Sequence, residues 1–247
     1  MDDSVHRGIV IRQSSYGEAH RMLSVFTEDM GIVKAVRYGV RGKKTSNAAA
    51  FQVLSYGDFR LRPSGSGVMT AVSADIKDGF YPVSEDIAKL SLVSYLADIT
   101  QWLLGEGNPD RRVLSLFLNI VYAAAYRGDS LEKLKCVYEL KLMCACGYMP
   151  DISGCAECGA EPRYMRIGSG EFFCKEHRRR GDTELSEGAV RLMRYVVTCP
   201  DKRILAFETS EEICAEAGDA AERYVAAQCG REFRSLAYYK SMRDTFC

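Results

Sequence analysis

The sequence predicts an α+β protein in which a small five-stranded β-barrel precedes a helical region with an inserted zinc knuckle. Three observations carry this prediction. Five short segments rich in β-branched and aromatic residues fall within residues 1–80, apolar residues take a helical spacing after Pro82, and two short Cys/His pairs lie late in the chain. With 247 residues, 47% of them hydrophobic, the chain can bury a core as one large domain or two small ones.

The strand-like segments are separated by turn residues. They are residues 5–12, 22–26, 32–38, 53–61 and 68–76. Asp29 and Gly31 favour a tight hairpin between the second and third segments. So many short strands favour a closed barrel or a sandwich, because such a sheet must protect its edges. An alanine-rich stretch at residues 43–50 predicts a short helix where an OB-fold has one, so an OB-fold barrel over residues 1–80 is the candidate that this pattern favours.

The pattern becomes helical after the barrel. Ser84 is a candidate N-cap, since two acidic residues follow it, and the first long helix should end near Gly105. Further helices are predicted at residues 109–126, 130–147, 186–197, 211–228 and 232–242. We therefore expect residues 81–247 to form a helical domain that contains a zinc-finger segment at residues 155–177.

Four residues of this segment have the spacing of zinc ligands. Cys155 and Cys158 form one pair, and Cys174 and His177 form a second pair after fifteen intervening residues. Two such pairs place four nitrogen and sulfur ligands around one point, as Zn²⁺ requires. The intervening residues 164–167 and 171–173 are predicted to pair as a hairpin. The alternative is that the four residues are buried or unrelated.

We expect the zinc to be structural. Four protein ligands close the coordination shell, whereas a catalytic zinc usually keeps a position for water. The sequence motifs of zinc deaminases and of the H-E-x-x-H metalloproteases are absent. Glu157 or Glu176 as a general base would be the enzymatic alternative, and only proximity supports either residue.

Charge is unevenly distributed along a chain with 33 basic and 33 acidic residues. Residues 1–80 carry 11 basic against 8 acidic residues. Within residues 34–62, seven cations face only Asp58. The predicted DNA-binding residues are these seven cations and one tyrosine: Lys34, Arg37, Tyr38, Arg41, Lys43, Lys44, Arg60 and Arg62. Cations can neutralise phosphates and Tyr38 can stack on a base, although a solvated loop explains the run equally well. The three arginines at residues 178–180 form a weaker patch.

Other catalytic patterns are missing. The chain has no Walker A, G-x-G-x-x-G or G-x-S-x-G motif, and no nucleophile is spaced to serve His20. No secretory signal opens the sequence. We therefore expect a cytoplasmic protein that is not an enzyme.

Several stretches resemble the bacterial recombination mediator RecO family. They are residues 16–18 (YGE), 23–31 (LSVFTEDMG), 36–46 (VRYGVRGKKTS), 138–142 (YELKL), 147–150 (GYMP), 155–159 (CAECG) and 230–236 (GREFRSL). The resemblance spans residues 5–240. The run from residue 138 to residue 159 is its most specific part. One departure concerns His177, because the family's knuckle usually ends in cysteine.

The resemblance implies an OB-fold that binds single- and double-stranded DNA and anneals complementary strands. It also implies three protein partners: RecR, the C-terminal tail of single-strand-binding protein (SSB) and, indirectly, RecA, which is loaded onto SSB-coated DNA. Two alternatives remain open. One is a protein-only scaffold built on the barrel and a structural zinc knuckle, and the other is a zinc-dependent hydrolase.

Overall fold

The computed structural model describes residues 3–39, 49–65 and 67–246. The chain divides into two compact units, Met1–Ser115 and Leu116–Cys247. The first unit holds the barrel and the helices directly after it. The predicted domain boundary after residue 80 stays a prediction.

Five strands form the predicted barrel. They are β1 (Ser4–Tyr16), β2 (His20–Thr27), β3 (Gly31–Arg37), β4 (Tyr56–Arg62) and β5 (Met69–Asp78). The barrel is closed in the order β1-β2-β3-β5-β4, with β3 and β5 as its parallel pair. Alternate side chains point inward, and the core contains Val10, Leu23, Phe59 and Leu61. The OB-fold prediction is confirmed.

The short helix expected before β4 is described only in part. Residues 43–48 of that prediction lie outside the described residues. The described part of the segment begins with a 3₁₀ turn, Ala49–Phe51. The turn places the side chain of Phe51 in the barrel core, 1% exposed, with its ring centroid 6.2 Å from that of Phe59.

Seven α-helices follow the barrel within the described residues. They are α1 (Tyr81–Ser84), α2 (Ile87–Leu104), α3 (Arg111–Tyr126), α4 (Leu131–Ala145), α5 (Glu187–Thr198), α6 (Glu211–Cys229) and α7 (Arg234–Phe246). The prediction that Ser84 caps the first long helix is wrong. Ser84 ends the one-turn helix α1, and Asp86 caps α2 by accepting hydrogen bonds from the N–H groups of Ala88 and Lys89. Pro82 starts that separate turn, since its fixed φ suits the first positions of a helix.

Helix α4 is largely buried. All residues from Leu134 to Met143 are buried, including Lys135 and Glu139. The ammonium group of Lys135 lies 3.1 Å from a carboxylate oxygen of Glu139 and 3.0 Å from one of Glu222 on α6. Burial opposes the charge of Lys135, but the two carboxylates outweigh burial and raise its pKa. The ion cluster therefore fixes α6 against α4.

A three-stranded sheet lies between α4 and α5 in the chain. Its strands are β6 (Tyr164–Arg166), β7 (Glu171–Phe173) and β8 (Thr183–Glu184), in the order β7-β6-β8. Tyr164 pairs with Phe173, so the predicted hairpin is confirmed. Across the described parts of the chain, the helices are all too short or too polar to span a membrane.

The turn into β3 generates a testable prediction about stability. Gly31 has φ +70°, and a Cβ at this position would lie 2.4 Å from the backbone carbonyl of Asn108. Gly31→Ala should lower the free energy of unfolding by about 3 kcal/mol, since positive φ and overpacking both cost energy. Urea unfolding measures this change. Gly107→Ala is the matched control, because Gly107 has φ +76° and no neighbour within 4 Å. The control should lose about 1 kcal/mol, and equal losses would contradict the proposed clash.

Candidate metal centre and nucleic-acid surface

The four predicted zinc ligands meet at one point. The ligand atoms of Cys155, Cys158, Cys174 and His177 all lie within 4.8 Å of one another. The Sγ atoms of Cys158 and Cys174 are 3.8 Å apart. Nδ1 of His177 lies 3.3 Å from Sγ of Cys174 and 3.6 Å from Sγ of Cys155. The four residues could therefore hold a metal ion, with Nδ1 as the histidine ligand atom.

Backbone hydrogen bonds shape both ligand pairs. The N–H of Gly159 donates to the carbonyl of Cys155 and closes the first turn, at a φ of +74° that glycine tolerates. The N–H of His177 donates to the carbonyl of Cys174 and closes the second. Cys155 and Cys174 share a small core with Tyr164 and Phe173. The hairpin thus fixes the distance between the two pairs.

The electrostatics at this point lower the pKa of the Cys155 and Cys174 thiols, whereas burial and the facing sulfurs raise the pKa of Cys158. Burial raises the pKa of the Cys155 thiol, but hydrogen bonds from the backbone N–H groups of Cys174, Glu157 and Cys158 outweigh burial and bring this pKa to about 6. The facing sulfurs of Cys174 and Cys155 raise the pKa of His177. Thiolates this close together repel one another, so a divalent cation among them would be stabilising.

The donor set fits zinc in particular. Thiolates bound ~2.3 Å from Zn²⁺ at tetrahedral angles lie ~3.8 Å apart, and the Cys158–Cys174 sulfur distance is 3.8 Å. Three thiolates are soft ligands and the imidazole is a borderline one that also suits zinc, and four such ligands complete a tetrahedron. Such a shell has no position for a reacting water.

Two of the predicted DNA-binding cations are paired with carboxylates. Lys34 lies 2.5 Å from a carboxylate oxygen of Glu106. Arg62 donates two hydrogen bonds to Asp3, at 2.6 and 3.3 Å. Both carboxylates come from parts of the chain outside the basic stretch, so the positive charge around the barrel is smaller than the local sequence suggests.

Arg37 is held by the barrel itself. Its guanidinium donates hydrogen bonds to the carbonyls of Ala71 and Val72 in β5, at 3.2 and 2.9 Å. The same group lies 4.9 Å from the ring centroid of Phe51. These contacts cross the parallel β3–β5 pair and stabilise the closure of the barrel.

The structure describes two of the other predicted DNA-binding residues. Tyr38 is 51% exposed, and its ring packs edge-on against His20. Arg60 is exposed on the outer face of β4. The last three predicted DNA-binding residues, Arg41, Lys43 and Lys44, lie outside the described residues.

A further charge cluster lies on the barrel surface, and the sequence did not predict it. Asp58 accepts two hydrogen bonds from Arg7 and lies 3.3 Å from the ammonium group of Lys77. Strand pairing explains the Arg7 contact, because Arg7 and Asp58 are register partners on β1 and β4. Pattern within one strand cannot reveal such a contact.

The weaker basic patch next to the knuckle is also partly engaged. The guanidinium of Arg178 lies 5.0 Å from the ring centroid of Tyr164. Arg179 lies 3.8 Å from a carboxylate oxygen of Glu157. These contacts hold two arginines of the patch against the knuckle, so the patch is not wholly available to a ligand.

Comparisons with known proteins bear on the whole chain. The family model described as recombination protein O, N terminal, matches residues 1–80, and the model described as recombination protein O, C terminal, matches residues 84–237. The DNA repair protein RecO of Acetivibrio thermocellus is 29% identical over 245 residues, which is 97% of each chain. The RecO of Rubrobacter xylanophilus is 31% identical over 70% of each chain, and that of Symbiobacterium thermophilum is 26% identical over 96% of each chain.

The contacts of Arg37 predict a structural role for this residue. Arg37→Ala should lower the free energy of unfolding by about 2–3 kcal/mol, since two carbonyls lose a charged donor. Arg60→Ala is the matched control, and it should change stability by less than about 0.5 kcal/mol, as is usual for an exposed residue. Thermal unfolding followed by circular dichroism distinguishes the two variants. Equal stability of both would show that the Arg37 contacts are unimportant for barrel closure.

Proposed function

We propose that this chain, which belongs to the recombination protein O family of DNA repair proteins, is a non-enzymatic mediator that binds single- and double-stranded DNA and anneals complementary strands. The observation that carries the proposal is the match of the two family models to residues 1–80 and 84–237. The closed barrel supports it, because OB-folds commonly bind single strands along one face.

In this proposal the protein acts with partners at the bacterial chromosome in the cytoplasm. It binds RecR and the C-terminal tail of SSB, and it assists the loading of RecA onto SSB-coated DNA. The support is the likeness to proteins named DNA repair protein RecO over nearly the full length of the chain.

We assign DNA binding to the eight residues predicted from the sequence, in two groups. Arg41, Lys43, Lys44, Arg60 and Tyr38 form the first group, which contacts phosphates and bases directly. Lys34, Arg37 and Arg62 form the second, because each has a partner on the protein. Two DNA strands repel each other through their phosphates, and cations that displace counterions from both strands lower that cost.

We assign Zn²⁺ to the four-residue cluster, with a structural role. When bound, the ion would neutralise the thiolates and join the two ligand turns. Cys155, Cys158 and Cys174 would supply thiolates, and His177 would supply Nδ1. The 3.3–3.8 Å separations between neighbouring ligand atoms support this assignment.

The central test is an annealing assay on complementary, SSB-coated oligonucleotides. The protein should accelerate duplex formation. The variant Arg41→Ala/Lys43→Ala/Lys44→Ala should slow annealing, weaken single-strand binding and reduce the salt slope by up to ~2, since each lost phosphate contact is worth ~0.7 on single strands. Binding titrations at two salt concentrations measure the slope.

The control removes equal charge from exposed helical positions, as Arg191→Ala/Arg223→Ala/Arg234→Ala, and should anneal normally. Normal annealing by the first variant would reject the proposed DNA-binding residues. No DNA affinity at low salt together with intact RecR binding would instead support the protein-only scaffold. Turnover that is lost on chelation without unfolding would support a hydrolase.

The zinc assignment makes its own prediction. The purified protein should contain zinc stoichiometric with the chain, measured by elemental analysis. Cys155→Ser should lose the metal and about 4 kcal/mol of stability, the linkage expected when free zinc is about 1,000 times its Kd. Cys229→Ser, which changes a half-buried cysteine outside the cluster, should keep both the metal and the stability.

The fourth ligand is tested separately. His177→Cys should retain zinc and His177→Ala should lose it. Metal content unaffected by His177→Ala would remove His177 from the ligand set.

A further inference from the structure

A cleft of about 400 Å³ lies in the second unit, away from the zinc cluster. We call it the tyrosine cleft, and it is lined by Asn119, Tyr122, Arg127, Lys202, Ile204 and Leu205. Its volume is within the range of small-ligand sites. We propose that it binds an unpaired base of single-stranded DNA together with the adjacent phosphate. The inference rests on the proposed DNA-binding function and adds a second contact site to it.

One wall of the cleft is held rigidly by two lysines of α4. The ammonium group of Lys133 donates to the carbonyls of Leu205 and Phe207, at 3.2 and 3.1 Å, and pairs with Asp129 at 2.8 Å. The ammonium group of Lys141 donates to the carbonyl of Cys199 at 2.6 Å. The segment from residue 199 to residue 207 is therefore fixed at both ends, so the cleft is formed before a ligand arrives.

Tyr122 lines the cleft and forms an exposed aromatic pair with Tyr126. Tyr122 is 52% exposed and Tyr126 is 47% exposed. They lie one helical turn apart on α3, with ring centroids 5.1 Å apart and ring planes inclined by 60°. This edge contact supports Tyr122 from one side. An exposed tyrosine ring is a platform on which any base can stack, whatever its identity.

The polar groups of the cleft match the rest of a nucleotide. The side-chain amide of Asn119 can both donate to and accept from a base edge. Nε of Arg127 lies 3.0 Å from a carboxylate oxygen of Asp129, and the terminal nitrogens of a guanidinium can donate to a phosphate. Lys202 is exposed, and no carboxylate in the described part of the chain is paired with it.

The balance of charge favours an anionic ligand. Asp201 also lines the cleft, but its carboxylate lies 3.7 Å from the ammonium group of Lys141. Asp129 faces both Arg127 and Lys133, so these three groups keep one net positive charge, and Lys202 adds a second. An acidic peptide could pair with the cations through its carboxylates. It would not offer an aromatic face to stack on Tyr122, or a base edge that both donates to and accepts from the amide of Asn119. A duplex would not fit either, because its bases are stacked and paired.

The experiment combines photo-cross-linking with binding of matched variants. A deoxythymidine oligonucleotide carrying 5-iododeoxyuridine is irradiated with the full chain, and the cross-linked peptides are identified by mass spectrometry. Cross-links should map to the peptide that contains Tyr122, as well as to the barrel. Tyr122→Leu should weaken single-strand binding by about fivefold or more, from the loss of one base–aromatic stack. Tyr238→Leu, which changes a tyrosine that is also 50% exposed, should bind like the wild type.

An abasic strand separates base stacking from phosphate binding. On a strand that lacks bases, Tyr122→Leu should match the wild type, whereas Lys202→Gln should bind more weakly on both kinds of strand. Cross-links confined to the barrel, with unchanged affinity of Tyr122→Leu, would overturn the cleft and leave the proposed function standing. Competition by an acidic peptide without a DNA cross-link at Tyr122 would also overturn it. A wild-type protein that binds no single strand would overturn both proposals.

Discussion

A charge that leaves water must be matched by an opposite charge or by hydrogen-bonding groups, and this constraint organises both units of the protein. In the helical unit, Lys135 is 2% exposed and lies between the carboxylates of Glu139 and Glu222. Removing the charge of Lys135 would leave the carboxylates of Glu139 and Glu222 facing each other without this cation, so the packing of α6 on α4 depends on this cluster. In the barrel, the carbonyls of β5 satisfy Arg37. At the knuckle, closely spaced thiols fit a cation for the same reason.

The same constraint determines which cations remain for DNA. Local sequence suggests a strongly basic middle of the barrel, but Glu106 neutralises Lys34 and Asp3 neutralises Arg62. A paired cation can still approach a phosphate, since an exposed ion pair contributes little to stability, but its acidic partner then repels the same phosphate and reduces the gain. In the proposed function, direct DNA binding is therefore assigned to the residues with fewer internal contacts, which include the exposed side chains of Tyr38 and Arg60.

Local features were predictable from the sequence, whereas distant partners were not. The alternation of the barrel strands, the spacing of the cysteines and the helical periods are properties of short segments, and the structure bears them out. Ser84 and Asp86 are both good N-caps, so local pattern alone could not choose between them. The pairing of Lys135 with Glu222 joins two helices that are far apart in sequence. The hydrophobic periodicity of one segment carries no information about such long-range contacts. The tyrosine cleft was missed for the same reason, since the segment around Lys202 reaches Tyr122 only through the fold.

A mediator that anneals DNA must release its product, and the proposed binding sites offer a physical route to that release. Cations hold a duplex at least as well as two single strands, because a duplex has the denser phosphate charge. Stacking acts in the opposite sense, since a base that pairs and stacks inside a duplex no longer has a free face. Under the two proposals, an exposed ring such as that of Tyr38 or Tyr122 would bind a single strand and lose its ligand as pairing proceeds. Because Lys34 and Arg62 of the barrel are paired with Glu106 and Asp3, stacking would supply a larger share of the affinity. The balance between the two contributions then favours unpaired strands over the finished duplex.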